Sequence, residues 1–232
     1  MREILQGAIQ ALQLLATRDP EVLEILALTL RVSGTALLFS MLVGVPLGSF
    51  LGLRRFPGRR LITALLYTGM GLPPVVVGLF VYLILSRSGP LGSLGWLFTP
   101  RAMIVAQTVI SFPLISGFTM ASVQGVDPDL RRQLRSLGAT DWQVTRAILS
   151  EARTGVIVAI VAGFGSIISE VGAVMLVGGN IEGATRVLTT AIVLETRKGQ
   201  FALAIALGII LLALSFAANL AMLALQGKRL GE

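Results

Sequence analysis

The sequence predicts an all-α fold, a polytopic membrane helical bundle with five transmembrane helices, formed by one domain over residues 1–232. Three observations predict it. The chain is 54% hydrophobic and 13% charged. Its mean hydropathy is +0.84. The apolar residues fall into five runs, each reaching the roughly 20 residues that a hydrocarbon core requires of a helix. Aromatics are only 6% of the chain, so Leu, Val, Ile and Ala supply the apolar mass.

Residues 1–20 come first. Their apolar stretch is interrupted by Gln and lacks an obvious signal-peptide cleavage pattern, so a short helix lying at the membrane interface is expected. The first span is expected at 32–53, free of charge, with Glu21, Glu24 and Arg31 preceding it at the interface. The second is expected at 61–85, with Pro73 and Pro74 breaking the helix inside it. The third, fourth and fifth are expected at 102–123, 154–177 and 201–225. The stretch "LTTAIVLE" at 188–195 is helical in pattern but too short to span. A partial insertion, or a surface helix against a second copy, is expected there. Small residues recur, as in "GVPLGSFLG" and "GFGSIIS", and allow close helix packing.

Charge sets orientation. "RRFPGRR", the stretch from Arg131 to Arg153 and the tail with Lys228 and Arg229 fall on one side of a five-span chain. Together they hold eleven of the nineteen Lys and Arg residues, which makes that side cytoplasmic and the N-terminus external. The net charge of +7 therefore reflects topology. Nucleic acid is not an expected partner, because no basic surface helix carries interleaved aromatics. The absence of Cys and His excludes thiol and imidazole chemistry and soft-metal sites.

One polar island, 127–150, interrupts the apolar chain. Asp127 is a helix N-cap, Pro128 takes the first helical position and Asp129 faces the positive end of the dipole. Leu130, Leu134 and Leu137 share one face by spacing, and Arg131, Arg132 and Arg135 take the other. Gly138 ends the helix, and Thr140 or Asp141 caps a second one carrying Trp142, Val144 and Ile148. This pattern fits a loop resting on lipid headgroups or a docking element for a soluble partner.

"SLGATDWQVTRAI", with Ile148 ten positions after Gly138, resembles the cytoplasmic coupling loop of ABC importer permeases. The family usually has Glu-Ala-Ala where this chain reads Arg132, Gln133 and Leu134. It usually has Leu-Pro at Ser150 and Glu151. "FPGRRLI", "LPPVVVGLFVYLIL", "GPLG", "AQTVISFPL" and "VDPDLRRQLRSLGAT" are similar to the molybdate and tungstate branch. The stretch 163–204 is similar to its tungstate-type members. The resemblance implies a type I ABC importer permease-like fold and a homodimer in the inner membrane. It also implies two cytoplasmic ABC ATPase subunits and an extracytoplasmic oxyanion-binding protein. The cargo implied is tungstate, less so molybdate.

No GxxxxGK[ST] loop is present, so ATP and Mg are expected on the partner ATPase, with no cofactor and no catalytic residue on this chain. The expected coupling residues are Arg131, Leu134, Arg135, Leu137, Gly138, Ala139 and Trp142. Arg131 and Arg135 would pair with acidic groups of the ATPase or with headgroups. Pro73 and Pro74 are candidates to line the pathway, since freed carbonyls are tolerated only against protein or water. Glu170 is the carboxylate well inside a span. A carboxylate repels an anionic cargo, so a gating or structural role is expected, with the group neutral or bonded to Ser166, Ser169 or nearby backbone. Gly178, Gly179 and Asn180 close the fourth span and suit a gate or a simple external turn. The alternative from another class is an ion- or proton-coupled secondary transporter, which inverted repeats would favour.

Overall fold

Gly44, Gly48 and Gly52 recur every fourth residue and so line one face of a helix, and that face sets the architecture. The computed structural model describes residues 2–227. It contains eleven α-helices and one 3₁₀ turn, with no strand among the described residues. Helix α1 spans Arg2–Ala16, and α2 spans Pro20–Leu53. Asp19 caps α2 by accepting from the N–H groups of Glu21 and Val22. Next come α3 (Arg59–Met70), α4 (Pro74–Leu85) and, after the 3₁₀ turn Gly92–Leu94, α5 (Pro100–Gln124).

The spine of the molecule is α2 against α5. A Cβ on Gly48 would sit 2.3 Å from the Ser116 carbonyl oxygen, so only glycine permits this approach. Ser40 and Ser111 hydroxyls meet at 2.6 Å across the same interface. At 34 residues, α2 is about 51 Å long by helical rise, well beyond the ~30 Å hydrocarbon thickness. It therefore starts twelve residues before the expected span, and Glu21, Glu24 and Arg31 lie within it.

The remaining helices are α6 (Pro128–Ser136), α7 (Asp141–Glu151), α8 (Arg153–Ile168), α9 (Gly172–Gly178), α10 (Leu188–Arg197) and α11 (Phe201–Gly227). Helices α2, α5 and α11 are each long and apolar enough to cross a membrane. Two bent pairs, α3 with α4 at 103° and α7 with α8 at 64°, raise the number of candidate spans to five.

One expected span is broken where its prolines predict, and another is corrected in form. Residues 61–85 make a sharp corner at Pro73 and Pro74, because Pro73 is extended and Pro74 starts a new helix. Residues 154–177 are interrupted after Ile168, and the chain resumes helix only at Gly172. The short segment at 188–195 is a helix, as its pattern predicts. It buries Leu188, Thr190 and Ala191 against its own chain, beside α11 and α2. Helix α1 lies along α11, with Ala11 buried and Gly7 against Ile205. Lys228 and Arg229, used above for orientation, lie outside the described residues.

Candidate functional site

The island folds as its local chemistry dictates. The Asp127 carboxylate accepts from the Asp129 N–H at 2.8 Å and opens α6. Helix α6 closes through two reversed bonds: Gly138 N–H donates to the Arg135 carbonyl and Ala139 N–H to that of Leu134, both at 3.0 Å. Gly138 has φ +81°, which the left-handed closure requires. Thr140, not Asp141, caps α7, in a reciprocal box with Gln143.

This closure decides which side chains face outward. Leu134 and Ala139 pack inward on a cluster of Val123, Val144, Ile148 and Ala152. Leu137 does not join them, because α6 ends at Ser136 and the turn swings it away. Leu137 is 83% exposed and Trp142 is 73% exposed, so the elbow carries a bare apolar tip.

Arg131 and Arg135 are engaged within the chain. Arg131 donates to the Leu53 carbonyl at 2.9 Å, satisfying an acceptor orphaned at the end of α2. Arg135 and Arg54 hold the two oxygens of Asp141 at 3.0 and 3.1 Å. Those guanidiniums keep the Asp141 carboxyl below its ordinary value, the Arg135 hydrogen bond contributing most. Within the chain, Arg131 and Arg54 thus tie the island to the end of α2, and Arg135 ties α6 to Asp141.

The second group of expected residues lies deeper. Pro73 and Pro74 turn the chain into α4, and Glu170 sits in the interruption before α9. The two breaks meet: Gly172 lies under Val75, and Gly78 lies on Ala173. Glu170 is outside regular helix and 8% exposed. Its Oε1 accepts from the Ala173 N–H at 2.8 Å, so its partner is backbone. Ser169 instead donates to the Gly165 carbonyl.

Two side chains that the sequence reading passed over secure this interruption. Gln107 Nε2 donates to the Ile167 carbonyl at 3.1 Å, and Thr189 Oγ1 donates to the Glu170 carbonyl at 2.9 Å. An amide within an apolar run was the available signal for Gln107. Thr189 gave none, since its partner is remote in sequence.

Gly178, Gly179 and Asn180 lie at the other end of α9. Gly179 and Asn180 have φ +73° and +53°. Thr185 Oγ1 donates to the Gly178 carbonyl at 2.6 Å and accepts from the Ile181 N–H, which makes a tied turn. Arg186 beside it is also unanticipated. Its side chain is 11% exposed and bonds Glu21 and Glu182.

Residues 44–230 match a family described as binding-protein-dependent transport system inner membrane component. The chain is 43% identical to the tungstate uptake system permease protein TupB of Peptoclostridium acidaminophilum, over 97% of this chain and 99% of the relative. It is 34% identical to the molybdenum transport system permease protein ModB of Escherichia coli (strain K12), over 78% of this chain and 83% of the relative. Its fold is similar to a chain of the MetNI methionine ABC transporter in an inward-facing conformation. That match has a TM-score of 0.71 at 21% identity and covers 92% of this chain and 96% of the other.

Proposed function

This chain belongs to the binding-protein-dependent transport system inner membrane component family, and from that membership we propose that it forms the translocation pathway of an ATP-driven tungstate importer. Molybdate is the second-ranked cargo, since the molybdenum relative is less similar than the tungstate one over a smaller share of the chain. The secondary transporter is not favoured by these matches. The assembly we propose is a homodimer with two cytoplasmic ATPase subunits, which hold ATP and Mg, and an external oxyanion-binding protein. In this reading the N-terminus is outside and the C-terminus inside.

The observation that carries the coupling role is the apolar tip formed by Leu137 and Trp142. A rigid, doubly capped elbow that leaves a Leu and a Trp bare fits a partner groove better than water. The bonds of Arg131, Arg54 and Arg135 would pass force from that tip to α2.

The test is co-purification of the tagged chain from native membranes in mild detergent. An ATP-binding subunit should come with it and be lost when Leu137 and Trp142 are both replaced by Asp. Leu134 is unsuited to this test because it packs inward. Retention of the ATPase by the double variant would sink the assignment of the tip. A native chain that purifies with no ATPase would sink the importer reading itself.

A further inference from the structure

Beside the island lies a cleft of about 640 Å³. Arg54 and Arg55 at the end of α2, Arg59 at the start of α3, and Arg131 and Arg135 on α6 all line it. Asp127 is its one acidic lining residue, and its Oδ1 is bound to the Asp129 N–H. Asp141 neutralises one further charge by holding Arg54 and Arg135. A positive surplus therefore remains. Arg55 has no hydrogen bond or ion pair among the described residues, and Arg131 Nε is buried without a partner.

Unneutralised guanidiniums gathered in one concavity repel one another, and an anion relieves that repulsion. Planar guanidinium forks match tetrahedral oxyanions in geometry. The apolar floor of Val123 and Ile148 lowers the local dielectric and strengthens the attraction. We propose that this cleft is a binding site for a tetrahedral oxyanion group, with Arg55 as an anchor and Arg59 and Arg131 beside it. An occupant would bridge the α2–α3 corner to α6, adding a second link to the one Asp141 makes. The group has two possible sources, a free oxyanion or a lipid phosphate, and both present the same chemistry. The proposal rests on the charges and shape of the cleft and stands apart from the identity of the transported cargo.

The experiment uses the full chain in phosphatidylcholine nanodiscs, with inorganic tungstate followed by equilibrium dialysis and elemental analysis. A second arm adds phosphatidylglycerol and identifies retained lipid by native mass spectrometry. Losing one charge-assisted contact should weaken tungstate binding about tenfold in Arg55→Gln. Arg55→Lys should recover part of it. Arg146→Gln, on the island but outside the cleft, should leave binding unchanged. That pattern supports a free oxyanion. Phosphatidylglycerol retained by the native chain and lost from Arg55→Gln, without tungstate binding, supports the lipid phosphate. Equal weakening by Arg55→Gln and Arg146→Gln would show only diffuse charge and overturn the site. Binding that ignores Arg55, or its absence in both arms, overturns it as well.

Discussion

Glu170 gives the sharpest test of how the interrupted fourth span works. Its Oε1 accepts from the Ala173 N–H at 2.8 Å, at the first turn of α9. Ala173 is fully buried, so no water is at hand to replace that acceptor. Glu170→Gln keeps a side-chain oxygen of the same reach and so retains the acceptor for the Ala173 N–H. Glu170→Ala removes the acceptor and strands a buried N–H, which costs about 1–3 kcal/mol. The two variants should therefore differ by roughly 1–3 kcal/mol in unfolding, the cost of the stranded N–H. In cells, Glu170→Gln should keep tungstate uptake with an unchanged pH dependence, and Glu170→Ala should lose part of it. Detergent-denaturation curves and uptake assays across pH would measure both. Equal damage from the two variants would refute the capping role. A changed pH dependence in Glu170→Gln would show that the carboxyl proton takes part in transport.

Three further outcomes follow from the packing and the turns. Gly48→Ala forces a Cβ to within 2.3 Å of the Ser116 carbonyl and should cost about 1–3 kcal/mol, whereas Gly34→Ala on the same helix meets nothing and should be neutral or slightly stabilising; equal denaturation curves would contradict the α2–α5 contact. Gly138→Ala meets no atom but must adopt φ +81°, costing roughly 1–2 kcal/mol. Gly138→Pro cannot adopt that angle and also loses the bond to Arg135, so it should insert normally yet lose ATPase-coupled uptake. Normal uptake in the Pro variant would remove the elbow from the coupling path. For Asp141 the folded-state pKa is lowered by Arg135 and Arg54, so its contribution is present above the ordinary carboxylate range and is lost as pH falls through the lowered value. Protection of the α6 and α7 amides, after correction for the intrinsic pH dependence of exchange, should thus hold from neutral pH down to about 5 and fall only in acid below about 4, while Asp141→Asn is less protected already at neutral pH. Identical exchange in the two proteins would discount the double ion pair.

What the sequence made legible was local. The island's two helices, the cap at Asp127 and the left-handed Gly138 follow from bonds between residues at most five apart, and the structure contains them. Apolar length located the membrane segments but not their shape, because hydropathy averages over a bend. Pro73 and Pro74 announced one corner. The break at Glu170 has no proline to announce it; it depends on Gly172 fitting under Val75 and on donors from α5 and α10. Leu137 was misplaced for a related reason. Helical spacing put it with Leu130 and Leu134, but the closing bonds of α6 stop the helix one residue earlier. Arg131 bonds the Leu53 carbonyl 78 positions upstream and Asp141 bonds Arg54 87 positions upstream, distances no periodicity encodes.

The corrected features make one mechanical connection. The tip is formed by Leu137, just past the end of α6, and Trp142 on α7, and α7 passes through buried Ala152 into α8. Helix α8 has 16 residues, about 24 Å by helical rise, and ends at the interruption holding Glu170. Under the proposed coupling, a push on the tip would have two routes, the arginine bonds to α2 and the continuation of α7 into α8. At the far end of α8 the backbone is not locked by helical bonds. Gln107 and Thr189 hold its carbonyls from α5 and α10, and side-chain donors can be exchanged more cheaply than a helical ladder can be broken. Movement would therefore concentrate at 169–171, next to the Pro73–Pro74 corner. Under the proposed coupling, the proline corner and the unannounced break at Glu170 would be the places where this fold yields.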